Sequence, residues 1–580
     1  MNTELAIRLR NKRIEEHKAL QGLPPRWRNE IVRKVIEACK HFTLPKIVDS
    51  IADQFISEFR KEHVLNGLDL TASDSEIVET ARRRANGAAM MLSRASDPEI
   101  AEAIIERTCA QADVPQPKGE TITARVKRIS CENWWRRKLR TNHARTIENG
   151  NIKLGIVRAK REPYASRDAV YRCLRQEDRN RKMMEKTILQ NEHGDRFSLQ
   201  ELAELSTSNK AIRRAELMTR IRGMEDFASE YGYAALFVTI TCPSYFHATS
   251  HASGKAAPNP LYRGMTPRQG QTYLCKVWSQ IRAKLDREGI AAFGLRVAEP
   301  HHDGCPHWHL IVFVKQDEAS ALESVVRHYA LLDSPDEPGA QKHRCKFVQI
   351  NAEQGSATGY VAKYIAKNID GYKLETDLNG EPAITASIHV TAWAKTHGIR
   401  QFQAFGAGSV MVWRELRRIP FDAVKDAPEH LQQAWHAAQK QALSDGEGFQ
   451  RADYAKYLKA IGGAAIPRKH ALIRLAKVHY DTPGRYGEPM GEKPIGIVAS
   501  DAPFKIYESI RYQWQRVESH PHGVKPIATD GASQAQAALQ KIGFGSAWTR
   551  VNNCTQDRPM PNAATGGIPS KNFNSDRMRC

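Results

Sequence analysis

Between Leu236 and Asn368 the chain switches repeatedly between a strand period and a helix period, and this order restricts its fold more than any other feature. LFVTIT at 236–241, FGLRVAE at 293–299, HWHLIVFV at 307–314 and CKFVQI at 345–350 are short apolar, β-branched runs of strand length. After the first run, Thr266 and Pro267 open a helix as cap and first-turn residue. Leu274, Val277, Trp278, Ile281 and Leu285 give it one apolar face, and Gly289 ends it. Asp303, Gly304 and Pro306 make a turn between the second and third strands; helices are predicted around 317–332 and over SATGYVAKYIAKN. Strand, helix, strand, strand, helix, strand, helix is the order of a split βαβ, ferredoxin-like arrangement around an antiparallel sheet. The predicted class is therefore α+β.

At 580 residues the chain exceeds what one hydrophobic core usually fills. Residues 1–225 read as a mostly helical N-terminal module, with apolar residues three and four apart in IVRKVIEACKHF and DSEIVETARRRANGAAMMLSRA. Residues 226–420 form the predicted central domain. Residues 421–580 read as helical and polar, as in PEHLQQAWHAAQKQAL, and then turn rich in Gly, Pro, Asn and Ser; a disordered tail is expected beyond about residue 550.

A formal net charge of +21 favours a polyphosphate partner over a small neutral one. The charge is concentrated between Lys118 and Lys186, where 20 lysines and arginines face 8 acidic residues. Within that stretch Trp134 and Trp135 precede Arg136, Arg137 and Lys138, which suits stacking on bases and pairing with phosphates; a basic helix with core tryptophans fits the pattern equally well. The ten cysteines are scattered singly without a CxxC pair, which argues against a zinc ribbon and suits a reducing cytoplasm. No apolar run approaches membrane-spanning length, so a soluble intracellular protein with no membrane partner is expected.

His307 and His309 are separated by one residue at the start of an apolar strand, so both imidazoles point to one face and can hold one cation. Glu299 ends the preceding strand, and an antiparallel turn brings its carboxylate back toward them; His301 and His302 compete with it as third ligand. Mixed nitrogen and oxygen donors suit Mg²⁺ or Mn²⁺. Downstream, Tyr360 and Tyr364 stand one helical turn apart, with Lys363 and Lys367 each three residues after a tyrosine. A deprotonated tyrosine attacking a phosphodiester, with a metal and a lysine stabilising the growing charge, would leave a 5′-phosphotyrosyl link and a free 3′-OH.

Three blocks in this order, FVTITCPS at 237–244, EPHHDGCPHWHLIVF at 299–313 and GSATGYVAKYIAKNIDG at 355–371, resemble the HUH endonucleases, and within them the replication gene A proteins of tailed temperate phages. The resemblance implies that His307 and His309 bind the metal and that Tyr360 and Tyr364 are the nucleophiles, in the manner of rolling-circle initiators. One tyrosine would nick single-stranded origin DNA and stay attached, a host helicase and polymerase would extend the 3′ end in the bacterial cytoplasm, and the other tyrosine would release and close the strand. Spacing does not say which acts first. The resemblance also places Thr239 and Thr241 on a strand beneath the site and gives Lys363 and Lys367 an auxiliary role.

Two other readings stay open. A relaxase or single-strand transposase would use the same chemistry on different DNA, and a non-catalytic nucleic-acid-binding protein could use a ferredoxin-like sheet. The latter would carry aromatics on its central strands rather than HxH followed by YxxxY. The sequence has no GxxxxGK[ST] motif, so strand separation is expected to come from a partner.

Overall fold

Helices begin where the sequence supplies a cap or a first-turn proline. Pro25–Ala38 and Pro45–Glu62 start on proline, Ser73 and Glu76 form a reciprocal capping box for Asp74–Leu92, Asp97 caps Pro98–Ala110, and Thr121 caps Ile122–Ile129. Two longer helices follow, α1 (Glu132–Lys153) and α2 (Arg167–Lys186), and after a short hairpin a third, α3 (Lys210–Glu230). The computed structural model describes residues 3–42, 44–250, 256–351, 356–369, 383–442 and 449–517. Among them no helix is long and apolar enough to cross a membrane.

The central elements follow the predicted order: β1 (Tyr233–Thr241), α4 (Pro267–Arg287), β2 (Phe293–Pro300), β3 (Pro306–Lys315), α5 (Ala319–Leu331), β4 (Cys345–Gln349) and α6 (Ala357–Ile369). Then come α7 (Ala383–His397) and a four-residue strand, β5 (Phe402–Phe405). The five strands form one antiparallel sheet in the order β4-β1-β3-β2-β5. The molecule is thus α+β.

The period of two divides β1, β2 and β3 between two cores. Leu236, Val238, Ile240, Leu310, Val312 and Val314 meet Leu274, Val277 and Ile281 of α4 and Leu322 and Val326 of α5. On the opposite face Phe237, Leu295, Val297, Ile311 and Phe313 meet Ile221, Met224 and Phe227 of α3 and Val361, Ile365 and Ile369 of α6. Burying each such side chain stabilises the fold by roughly 1.5–3 kcal/mol, so both layers hold the sheet rigidly. The second core continues into Trp413, Leu416, Tyr457, Ile473 and Ile497, so packing runs without a break past residues 225 and 420.

Three features depart from the sequence reading. First, the region after 420 is not simply helical: β6 (Ile473–Pro483), β7 (Pro489–Ala499) and β8 (Ala502–Glu508) form an antiparallel sheet. Alternation was hidden because Lys477–Pro483 is exposed at every position and the pairing is interrupted by register shifts. Second, Ile188–Gln190 pairs with both Arg196–Ser198 and Gln515–Val517, strands too short to show a period. The expected tail beyond residue 550 lies outside the described residues.

Third, Trp134 and Trp135 are core residues, only 5% and 0% exposed, and so do not offer their rings to bases. Trp135 Nε1 donates to the Ile129 carbonyl at 2.6 Å, and the two indoles meet edge to face beside Ile77, Ile105 and Leu139. Packing took the tryptophans inward because two large rings bury more apolar area than any other pair on α1 could. Their cationic neighbours are engaged locally: the Lys138 ammonium lies 5.4 Å from the Trp134 ring centre, and Arg137 donates to the Tyr486 hydroxyl at 3.3 Å. Arg136 is half-buried.

Candidate metal and nucleophile site

Sheet register assembles the polar cluster. His307 lies opposite Thr241 of β1 and Glu299 of β2, and His309 lies opposite Thr239. The turn from β2 to β3 is tied by His301 N donating to Cys305 O at 2.7 Å and by Asp303 accepting from Cys305 N at 3.1 Å, with Gly304 at φ +82°. Helix α4 comes against the start of β3 at Gly270, where a Cβ would meet the Pro306 ring at 2.8 Å.

Donor atoms of Glu299, His307 and His309 lie within 4.8 Å of one another. The two imidazole Nε2 atoms are 2.9 Å apart, a separation typical of neighbouring ligands that each sit about 2.1 Å from one ion. His309 Nδ1 is 3.0 Å from Thr239 Oγ1; donation to that hydroxyl leaves the Nε2 lone pair facing His307. His307 Nδ1 is buried and has no partner among the described residues. Burial holds His307 well below the ordinary histidine range, with His301, His309 and Lys367 adding to it; burial also lowers His309, with Glu299 opposing. Two neutral imidazoles and a carboxylate converging on one point fit a divalent cation. His301 and His302 are outside this group: His301 lies against His307 with ring centres 4.0 Å apart, and His302 stacks on Tyr164.

Helix α6 is pinned over the sheet at both ends. Glu225 of α3 accepts from Ala357 N and Thr358 N at its start, and Val361, Ile365 and Ile369 are buried along its length. This brings the Tyr364 ring to 4.3 Å from His309 and 5.5 Å from Phe237. Burial, then Glu299 and Tyr360, pushes the Tyr364 hydroxyl up to about 12. Tyr360, one turn earlier, leans on Phe237 at 5.6 Å and is 43% exposed. Lys363 is exposed, whereas Lys367 is buried and reaches Glu299 Oε2 at 3.4 Å. Thr241 Oγ1 donates to the carbonyls of His343 and Arg344 and not to the His307 or His309 ring.

Two residues besides the predicted ligands and nucleophiles complete the cluster. Asn368 donates both to Glu299 and, at 2.6 Å, to the Tyr364 carbonyl, and Gln401 Nε2 holds Asn368 Oδ1 at 3.0 Å. Asn368 is four residues after Tyr364, so helical spacing alone puts them on one face. Gln401 is carried in from beyond α7, and no local signal marks it.

Residues 44–372 match the family described as bacteriophage replication gene A protein (GPA). The chain is 39% identical over 394 residues to the replication gene A protein of Escherichia phage 186, covering 65% of this chain and 55% of that protein. It is 34% identical over 452 residues to the replication gene A protein of Escherichia phage P2, with 75% and 56% covered. A probable replication endonuclease from a prophage-like region of Salmonella typhimurium is 33% identical over 439 residues, with 75% and 52% covered. The chain thus spans about half the length of the curated relatives it matches. No solved structure matches it.

Proposed function

The chain belongs to the bacteriophage replication gene A protein family, and from that premise we propose that it is a DNA strand-nicking enzyme that starts phage replication, acting through a tyrosine on an HUH-type nuclease domain. One observation carries this reading: the ring of Tyr364 lies against His309, a member of a set made of two half-buried imidazoles and the buried Glu299 carboxylate. The names of the relatives, replication gene A protein and probable replication endonuclease, point the same way.

Tyr364 Oη attacks the scissile phosphorus as its proton leaves. The P–O3′ bond breaks, the 3′ oxygen takes up a proton, and a phosphotyrosyl ester replaces the phosphodiester. A Mg²⁺ or Mn²⁺ held by His307, His309 and Glu299 would supply Lewis acidity toward the non-bridging phosphate oxygens. Thr239 fixes the His309 ring, Asn368 and Lys367 fix the Glu299 carboxylate, and Lys367 adds positive charge beside the site. Tyr364 makes the first cut because it is the tyrosine beside the histidines. Tyr360, exposed one turn away, takes the second, which releases and closes the displaced strand. Since the phosphoester is conserved throughout, resealing needs no ATP. The substrate is single-stranded origin DNA, and a host helicase and polymerase do the unwinding and extension in the bacterial cytoplasm.

The test uses single strands tiled across the replicon that encodes the chain, labelled at either end and incubated with Mn²⁺ or Mg²⁺. A 3′-labelled strand should become covalently bound to protein, and a 5′-labelled strand should yield a free fragment ending in 3′-OH. Cleavage without an adduct would overturn the tyrosine mechanism.

A further inference from the structure

We propose that the loop Pro163–Ser166, which leads into α2 from the N-terminal helical region, belongs to this site, and that Tyr164 is a positioning residue for Lys367. The inference rests on the nuclease reading and extends the site to a segment that no motif marked.

Tyr164 has φ +73°, the left-handed region that a large L side chain rarely adopts, and it is only 2% exposed. Such a conformation persists only where its surroundings over-determine it. Three elements do so here. Tyr164 N donates to His302 O at 3.1 Å in the turn between β2 and β3. The Ala165 carbonyl lies 2.9 Å from His389 Nδ1 of α7. Ser166 N donates to the buried carboxylate of Glu148 on α1 at 2.8 Å. Glycine would adopt this backbone without strain, so what tyrosine adds is its side chain.

That ring packs with Ala386 and Val390 of α7, stacks on His302 with centres 5.3 Å apart, and lies 4.8 Å from the Lys367 ammonium. The same ammonium reaches Glu299 at 3.4 Å. A lysine head group on a flexible four-carbon stem turns toward water unless it is held. Here a carboxylate holds it from one direction and an aromatic face from the other. The ring attracts the cation, so the Lys367 ammonium is held at a fixed place beside the histidines. A loop of the helical region therefore completes the site.

The experiment compares wild type, Tyr164→Phe, Tyr164→Met and Tyr164→Gly in the full chain, by single-turnover nicking with Mn²⁺ and by amine-labelling mass spectrometry of Lys367 with exposed Lys363 as control. Tyr164→Gly removes the ring while relieving the backbone, so a folding defect in Tyr164→Met does not end the comparison. Loss of the ring should slow nicking about tenfold, leave DNA affinity within about twofold, and raise Lys367 labelling several-fold with Lys363 unchanged. Tyr164→Phe, which keeps the ring face, should stay closer to wild type than Tyr164→Met in both readouts. In a Lys367→Met background, Tyr164→Met should slow nicking no further. An unchanged rate or unchanged labelling in Tyr164→Met, a Tyr164→Phe variant as slow as Tyr164→Met, or independent effects in the double variant would each overturn the inference while the nuclease reading stands. A wild-type chain that forms no adduct would overturn both.

Discussion

Lys367→Met separates the electrostatic role of the buried ion pair from its packing, because methionine retains the length of the lysine stem. The pair is 3.4 Å apart with side chains 8% and 2% exposed. At an effective dielectric near 20, two unit charges at that distance attract by about 5 kcal/mol. Desolvation offsets much of this in the intact pair, but removing one partner leaves Glu299 buried with, among the described side chains, the Asn368 amide as its remaining donor, and such losses run to about 3–5 kcal/mol. The metal-free variant should therefore unfold at distinctly lower denaturant than wild type. Mn²⁺ should then stabilise the variant more than wild type, because the cation takes over the charge balance and no longer meets the lysine's repulsion. Tenfold tighter Mn²⁺ binding would add about 1.4 kcal/mol at a given saturating concentration. Denaturant unfolding in chelated buffer, repeated across a Mn²⁺ series, measures both effects. A variant within about 1 kcal/mol of wild type without metal, or the same Mn²⁺ response in both proteins, would refute the reasoning.

Three further outcomes follow from individual side chains. Trp135→Ala should lower stability by about 3–5 kcal/mol and leave the DNA affinity of the folded protein unchanged, as read by melting and filter binding; a selective loss of DNA binding would restore a stacking role. Thr239→Val removes the partner of His309 Nδ1, so calorimetry should show Mn²⁺ affinity falling about tenfold with little change in melting; equal affinity would mean that the tautomer is fixed otherwise. Burial, with Arg145 and Arg268 adding, lowers His397 to about 3, below the roughly 6.5 of an unfolded histidine, so the unfolded chain takes up its proton first. The stability this contributes is intact above about pH 6.5 and is lost toward pH 3 at about 1.4 kcal/mol per unit. His397→Gln should make the slope between pH 6 and 4 shallower by that amount, and an unchanged slope would contradict the assignment.

Residues whose neighbours are local or one strand away were legible in the sequence. His307 and His309 share a face because strands have a period of two, Glu299 comes opposite His307 because the intervening turn is short, and Tyr360 and Tyr364 lie one turn apart on α6. The central strands announced themselves because both faces are buried and their residues are correspondingly apolar. The ribbon of β6 and β7 did not, since its outer part is exposed at nearly every position and has no apolar face to alternate. Trp134 and Trp135 misled because a basic aromatic cluster has the same composition whether its rings face a nucleic acid or a core; only the neighbouring Ile77 and Ile105, far away in sequence, decide it. Tyr164 and Gln401 reach the site through tertiary contacts across long separations, which no spacing rule encodes. Lys363 and Lys367 look alike in sequence, yet the turn of the helix exposes one and buries the other.

The most direct test of the central claim is the covalent adduct on single-stranded origin DNA, compared among wild type, Tyr360→Phe, Tyr364→Phe and the double variant. The account predicts that Tyr364→Phe loses the first-cut adduct, that Tyr360→Phe keeps it but fails to release a closed strand, and that the double variant does neither. An adduct that survives in the double variant would contradict it.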